Sequence, residues 1–181
     1  SLGSDYANPV LRAAINYAYE QNVAIVAASG NDGINEKIYP ASFDHVVSVS
    51  SVNRFQQVST FSNYNDSVDI SAPGEAIITT SVNNTYVEVL GTSFAAPHVS
   101  GILGLLISYD PTQQVDKLYD RIFQTARDRG NEGLDIYYGY GIVDAYQAIL
   151  YNEYQVSLVT GLQNYPTSVF VLPFPCHLQL F

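Results

Sequence analysis

The spacing of apolar residues divides the chain into short alternating segments. Asn8-Pro9 reads as a helix start, with Asn as N-cap and Pro in the first helical position. Val10, Leu11, Ala14, Ile15, Ala18 and Tyr19 then recur at helical spacing. "VAIVAA" at residues 23–28 is a continuous apolar run, as expected of a strand covered on both faces in a parallel sheet. "SGNDG" at residues 29–33 breaks it with turn-forming residues. Further strands are expected at 45–52, 68–71, 76–81 and 85–90, with "SAPG" as a turn between the middle two.

From Ser93 to Ser108 the pattern is apolar nearly all round. It predicts a central, buried helix with Pro97 in about its first turn, where a missing N–H costs little. Asp110-Pro111 predicts a helix running to about Ala126. A Gly-rich stretch then leads to a last helix from about Asp144. After Tyr154 the character changes to strand-like pieces with three prolines and no charged residue. The expected division is therefore a domain at 1–154 and a tail of uncertain structure at 155–181.

Composition narrows the function classes. At 181 residues and 47% hydrophobic, the chain buries the core of one domain. Its net charge of −10 repels a polyanion, so nucleic acid is not an expected partner. A single cysteine, Cys176, leaves no intrachain disulfide, and no apolar run reaches membrane-spanning length. The chain begins at Ser1, contains no Met and shows no signal-peptide pattern, so the expectation is a fragment or processed piece.

The residues that carry chemistry centre on "GTSFAAPHVSG", residues 91–101. A serine at the head of a helix has backbone N–H groups nearby to receive negative charge. This motif resembles the nucleophile signature of the subtilisin-like serine proteases, the subtilases. So do "SLG" at 1–3, "VAIVAASGNDG" at 23–33, "YPASFDHVVSVSSVN" at 39–53, "FSNYNDSVDISAPG" at 61–74 and "YGYGIVDAYQAI" at 138–149, in the family's order. The one departure inside the motif is Phe94, where the family often has Met.

The resemblance implies a three-layer α/β/α sandwich with a mainly parallel sheet, lacking the N-terminal part of the domain, and a serine endopeptidase working through an acyl-enzyme. It implies Ser93 as nucleophile and Asn31 as side-chain donor of the oxyanion hole. Ser1, Leu2 and Gly3 match the edge beside which a peptide substrate pairs. Ala28, Ser29 and Gly30 match a wall of the pocket for the residue before the scissile bond, with room expected for a sizeable apolar side chain. The family's location implies a secreted or cell-envelope protein, and its substrate a polypeptide.

The triad Asp and His would precede "SLG", and no matching segment occurs in these residues. The implied partner is thus an N-terminal segment carrying both, without which the chain is expected to be inactive. His98 sits five residues after Ser93, about 140° round an ideal helix, and is expected to be a buried structural histidine. His45 is expected at a surface or edge, and His177 falls in the tail. Asp69 and Asp144 look structural, the latter as a helix N-cap; Asp32 reads as a turn residue or part of the cleft wall. No cofactor is expected and no calcium site is assigned. "NDS" at Asn65 and "NNT" at Asn83 fit the glycosylation pattern and are expected to be chance matches. The alternative function is a non-catalytic, subtilase-like module that binds peptides or a partner. An α/β-hydrolase is disfavoured because its Gly-x-Ser-x-Gly motif is absent: Ala95 stands where the second glycine belongs.

Overall fold

The expected strands and helices assemble around one parallel sheet in the computed structural model, which describes residues 1–151. The expectations for the tail, including Cys176 and His177, lie outside the described residues. Helix α1, Pro9–Glu20, is capped by the Asn8 side chain, which accepts from the Val10 and Leu11 amides. Strands β1 (Ile25–Ala28), β2 (Val46–Val52) and β3 (Ile70–Pro73) pair in parallel in that spatial order, with Ile25 opposite Val46 and Val49 opposite Ile70. Strand β2 is buried along its whole length, which is why it reads as unbroken Val and Ser rather than an alternation. The expected "SAPG" turn is shifted: Ser71 to Pro73 complete β3, Gly74 still donates to the Val52 carbonyl, and the chain bends at Glu75 and Ala76.

Strands β4 (Ile77–Ser81) and β5 (Thr85–Val89) form a separate antiparallel hairpin. It connects β3 to helix α2, Thr92–Tyr109, which lies across all three strands of the parallel sheet. Helices α3 (Val115–Gln124) and α4 (Ala145–Leu150) pack beside α2, while α1 covers the opposite face through Ile15, Ala27, Phe43 and Val46. Helices thus flank a mainly parallel central sheet.

Three further sequence expectations shift. Helix α3 starts at Val115 rather than Asp110, because the Asp110 carboxylate accepts from the Thr112 N–H and hydroxyl and closes a local turn instead. Helix α2 is buried on one face only. Its Val99, Ile102, Leu103 and Leu106 sit in the core, whereas Leu105 is 55% exposed and Gly101 and Gly104 border open space. Pro97 lies in the second turn, not the first.

Past α3 the chain returns to the sheet. Tyr140 N–H donates to the Asp69 carbonyl, Ser71 N–H to that of Gly141, and Val143 N–H to that of Ser71, so residues 139–143 run alongside β3. Asp144 then caps α4 by accepting from the Gln147 amide, as its position suggested.

Asp69 is the polar exception at the start of β3. Burial pushes its carboxyl up to about 6, against the pull of a 2.8 Å hydrogen bond from the Ser48 amide. Because the folded value lies above the unfolded one, the folded state binds more protons between about pH 4 and 6. Stability from this group therefore falls as pH rises through that window, by about 3 kcal/mol in all. Asp69→Asn keeps an acceptor for Ser48 and removes the charge. Urea midpoints from pH 4 to 7 should fall less steeply for the variant than for the wild type, and parallel slopes would contradict this assignment.

Candidate active site

Gly91 prepares the site. Its φ of +144° is a glycine conformation, and its N–H donates to the Gly74 carbonyl at the point where the hairpin rejoins the core. Helix α2 begins at the next residue, which places Ser93 second in the helix, half-buried, with first-turn backbone amides around it.

Thr92 is fully buried and points the other way, toward the loop after β1. Both its N–H and its hydroxyl donate to the Asn31 Oδ1, each at 2.8 Å. The acceptor end of the Asn31 carboxamide is thereby fixed. Its Nδ2 remains the free end, with no hydrogen-bond partner among the described residues.

The loop that carries Asn31 is held from behind by Asn63, which is fully buried. The Asn63 amide donates to the Gly30 carbonyl, and its Oδ1 accepts from the Asp32 amide at 2.8 Å. The residues on either side of Asn31 are thus tied to one side chain and its backbone. A Cβ on Gly30 would lie 2.4 Å from the Asn63 Nδ2, so only glycine fits between them.

A cavity of about 160 Å³ opens in front of Ser93, lined by Ser1, Leu2, Gly3, Ala28, Gly30, Asn31, Ile38, Thr92 and Ser93. It unites nearly every residue singled out from the sequence. Ser29 is the exception among them: it is buried, and its hydroxyl donates to the Asn63 carbonyl at 3.2 Å. Ser1 reaches across the cavity rim, its hydroxyl donating to the Ser93 carbonyl at 2.8 Å. Thr92, Asn63 and Ile38 were not flagged in advance. Thr92 and Asn63 stood inside quoted blocks without a role of their own, whereas nothing in the local sequence around Ile38 points to a site.

The histidines behave differently. His98 is exposed rather than buried, because the face of α2 that carries it is uncovered among the described residues. Its Nδ1 donates 2.7 Å back to the Phe94 carbonyl, which fixes the proton on that nitrogen. His45 is exposed and stacks on Tyr19 at 3.8 Å, at the surface as expected. Among the described residues no side chain hydrogen-bonds the Ser93 hydroxyl. Asp32 is exposed and bound only through its amide. Asn65 is buried with its Nδ2 donated to the Glu36 carbonyl, which removes it as a glycosylation acceptor; Asn83 is exposed at the hairpin turn.

Chemically, the arrangement offers a hydroxyl, adjacent helix-terminal amides and an aimed carboxamide donor in one cleft. That combination suits negative charge developing on an oxygen beside the hydroxyl.

The model of the subtilase family, peptidase S8, matches residues 1–141. The minor extracellular protease Epr of Bacillus subtilis (strain 168) is 40% identical over 144 residues, which is 79% of this chain and 22% of that protein. Thermitase of Thermoactinomyces vulgaris is 37% identical over 151 residues, 83% of this chain and 53% of its own. The solved structure of the prenylagaramide maturation protease is 28% identical and superposes with a TM-score of 0.74, covering 82% of this chain and 57% of that one. The chain therefore spans from 22% to 53% of the length of the two curated relatives.

Proposed function

Since the chain belongs to the subtilase family, we propose that it carries the nucleophile and half of the oxyanion hole of a serine endopeptidase. The observation that carries this is the double anchoring of the Asn31 Oδ1 by Thr92, which turns the Nδ2 into a donor beside Ser93. In this reading the Ser93 Oγ attacks the carbonyl carbon of a peptide bond. The Asn31 Nδ2 and a first-turn amide of α2 donate to the resulting oxyanion. Collapse expels the amine and leaves an acyl group on Ser93, which water then removes.

The proton on Ser93 needs a base, and we assign base and orienting acid to a His and an Asp on a segment N-terminal to Ser1. Two features support a packing site for such a segment. Among the described residues, β1 has a partner on one edge only, and Gly101, Gly104 and Leu105 of α2 face open space. The substrate is a polypeptide, lying along Ser1 to Gly3 as an added strand. A secreted or cell-envelope location accords with the extracellular Bacillus subtilis relative. None of the described helices is long and apolar enough to cross a membrane.

The test is covalent. Residues 1–181 alone, treated with a serine-directed peptide phosphonate, should label at Ser93 several powers of ten more slowly than a longer chain that supplies the Asp and His. Mass spectrometry of the adduct reads the site and the rate. Rapid stoichiometric labelling of the short chain would show that the base lies within it. No labelling of the longer chain would favour the non-catalytic binding module.

A further inference from the structure

Asn31 is exposed, and its own backbone N–H and carbonyl have no hydrogen-bond partner among the described residues. Its orientation is therefore set by its neighbours, and one residue holds both of them. Asn63 donates its backbone N–H to the Gly30 carbonyl at 3.0 Å and accepts the Asp32 N–H on its Oδ1 at 2.8 Å. The same Oδ1 receives a longer bond of 3.5 Å from the Ile34 amide. The Asn63 carbonyl accepts from the Ser29 and Ser62 hydroxyls at 3.2 and 3.3 Å, and the Ser62 Oγ in turn accepts from the Ser51 amide of β2 at 3.0 Å. The loop that carries Asn31 is thus registered to the fully buried middle strand through a residue that is itself 0% exposed. The Asn63 Nδ2 is buried with no partner among the described residues, which costs stability. A side chain placed for stability alone would satisfy both of its ends. This one keeps its oxygen on the Asp32 amide and leaves its nitrogen against Gly30, where an added Cβ would lie 2.4 Å away.

We propose that Asn63 is a positioning residue of the oxyanion hole, clamping the backbone on both sides of Asn31 so that the Asn31 Nδ2 points at the developing oxyanion. The inference rests on the proposed peptidase reading and adds to it a residue that acts on the reaction only through Asn31. Two constraints then work in series. Thr92 fixes the Oδ1 of the Asn31 carboxamide, and Asn63 fixes the peptide units from which that side chain springs. Thr92 alone pins one atom, so a loop free to shift would swing the Nδ2 about that point. A misplacement of about 1 Å costs as much as roughly 10²-fold in rate, even when its cause lies away from the chemistry. Asn63 sits behind the cavity wall rather than among the residues that line it, so its loss acts on turnover and not on binding.

The experiment measures kcat and KM of the full-length protease on a peptide amide, with a thermal melt of each variant. Asn63→Ala removes the Oδ1 and leaves the backbone bond to Gly30. It should lower kcat by about tenfold, less than outright loss of the donor, while KM stays within about twofold. Asn63→Ser keeps a polar group in the buried site but is too short to meet the Asp32 amide in the same place. It should move kcat in the same direction by less, and it guards against misfolding of the alanine variant. The decisive readout is coupling to Asn31. In an Asn31→Asp background, either Asn63 variant should lower kcat by no more than about twofold further, because the clamp then has no donor to aim. A purely structural Asn63 predicts the full loss again in that background. Losses that multiply, or wild-type kcat in both single variants, overturn the positioning role while leaving the peptidase reading intact. Failure of the wild type to cleave peptides overturns the peptidase reading itself, and this inference with it.

Discussion

Asn31→Asp is expected to lower kcat of the active protease by about 10²–10³-fold or more with little change in KM, and Ser93→Ala to lower it by about 10⁶-fold. Both magnitudes are carried over from subtilisin, a member of the same family. The choice of aspartate follows from Thr92. Replacing Asn31 by alanine would strand the buried Thr92 N–H and leave its hydroxyl only the Gly30 carbonyl at 3.3 Å, costing stability as well as rate. Aspartate keeps an oxygen for both donors and exchanges only the free Nδ2 for a carboxylate oxygen. The fold is retained, and the group facing the developing oxyanion changes from donor to acceptor. Steady-state kinetics on a peptide amide, with a thermal melt alongside, separates the two effects. The Asn31→Asp, Ser93→Ala double variant should be no worse than Ser93→Ala alone, because without the acyl transfer the donor has nothing to stabilise. An Asn31→Asp enzyme with wild-type kcat would remove Asn31 from the mechanism.

The largest structural effect is expected at Gly139. Its φ is +63°, and an added Cβ would sit 2.1 Å from the Asp69 carbonyl carbon and oxygen and 2.5 Å from the Ile70 nitrogen. All three are backbone atoms of the chain entering β3, so no rotamer change relieves the contact. Gly139→Ala should cost about 4 kcal/mol or more, or prevent folding, since it separates residues 139–143 from β3. Gly133 is the matched control. It shares the left-handed backbone, at φ +80°, but has nothing within 4 Å of an added Cβ, so Gly133→Ala should cost only about 1–2 kcal/mol. Urea denaturation of the two variants measures the difference. Equal costs would mean that the close approach to Asp69 is not maintained in solution.

Much of the fold was readable because each signal was local. Asn8-Pro9 and Asp144 cap helices through their own side chains within three residues, and β2 is a run of Val and Ser because both its faces are covered. Ser93 and Asn31 were readable for another reason: each stands in a short motif that resembles the family's, and those motifs include Gly91 and Gly30, whose φ values of +144° and +113° suit glycine. What escaped depended on contacts distant in sequence. The Asp110-Pro111 pair carries a helix-start pattern, but the competing bond to Thr112 decides the outcome. The pattern of α2 records apolarity all round, yet it cannot say which side finds a partner within these residues, so His98 was misplaced to the interior. Ile38 reaches the cavity only because Tyr39 is paired with Ser4, a contact that spans the first helix and strand.

The hydrogen bond from Gly91 to the Gly74 carbonyl closes the neck of the β4–β5 hairpin. The chain leaves the core and re-enters it at nearly the same point, so the excursion between them behaves as an interchangeable cassette. Closing a longer excursion costs only slowly more entropy. Its exposed Ile78, Val82 and Tyr86 are accordingly free to drift, while the serine just beyond the neck stays registered to the sheet. Substitutions in the hairpin can thus be absorbed without disturbing how Ser93 is registered to the sheet.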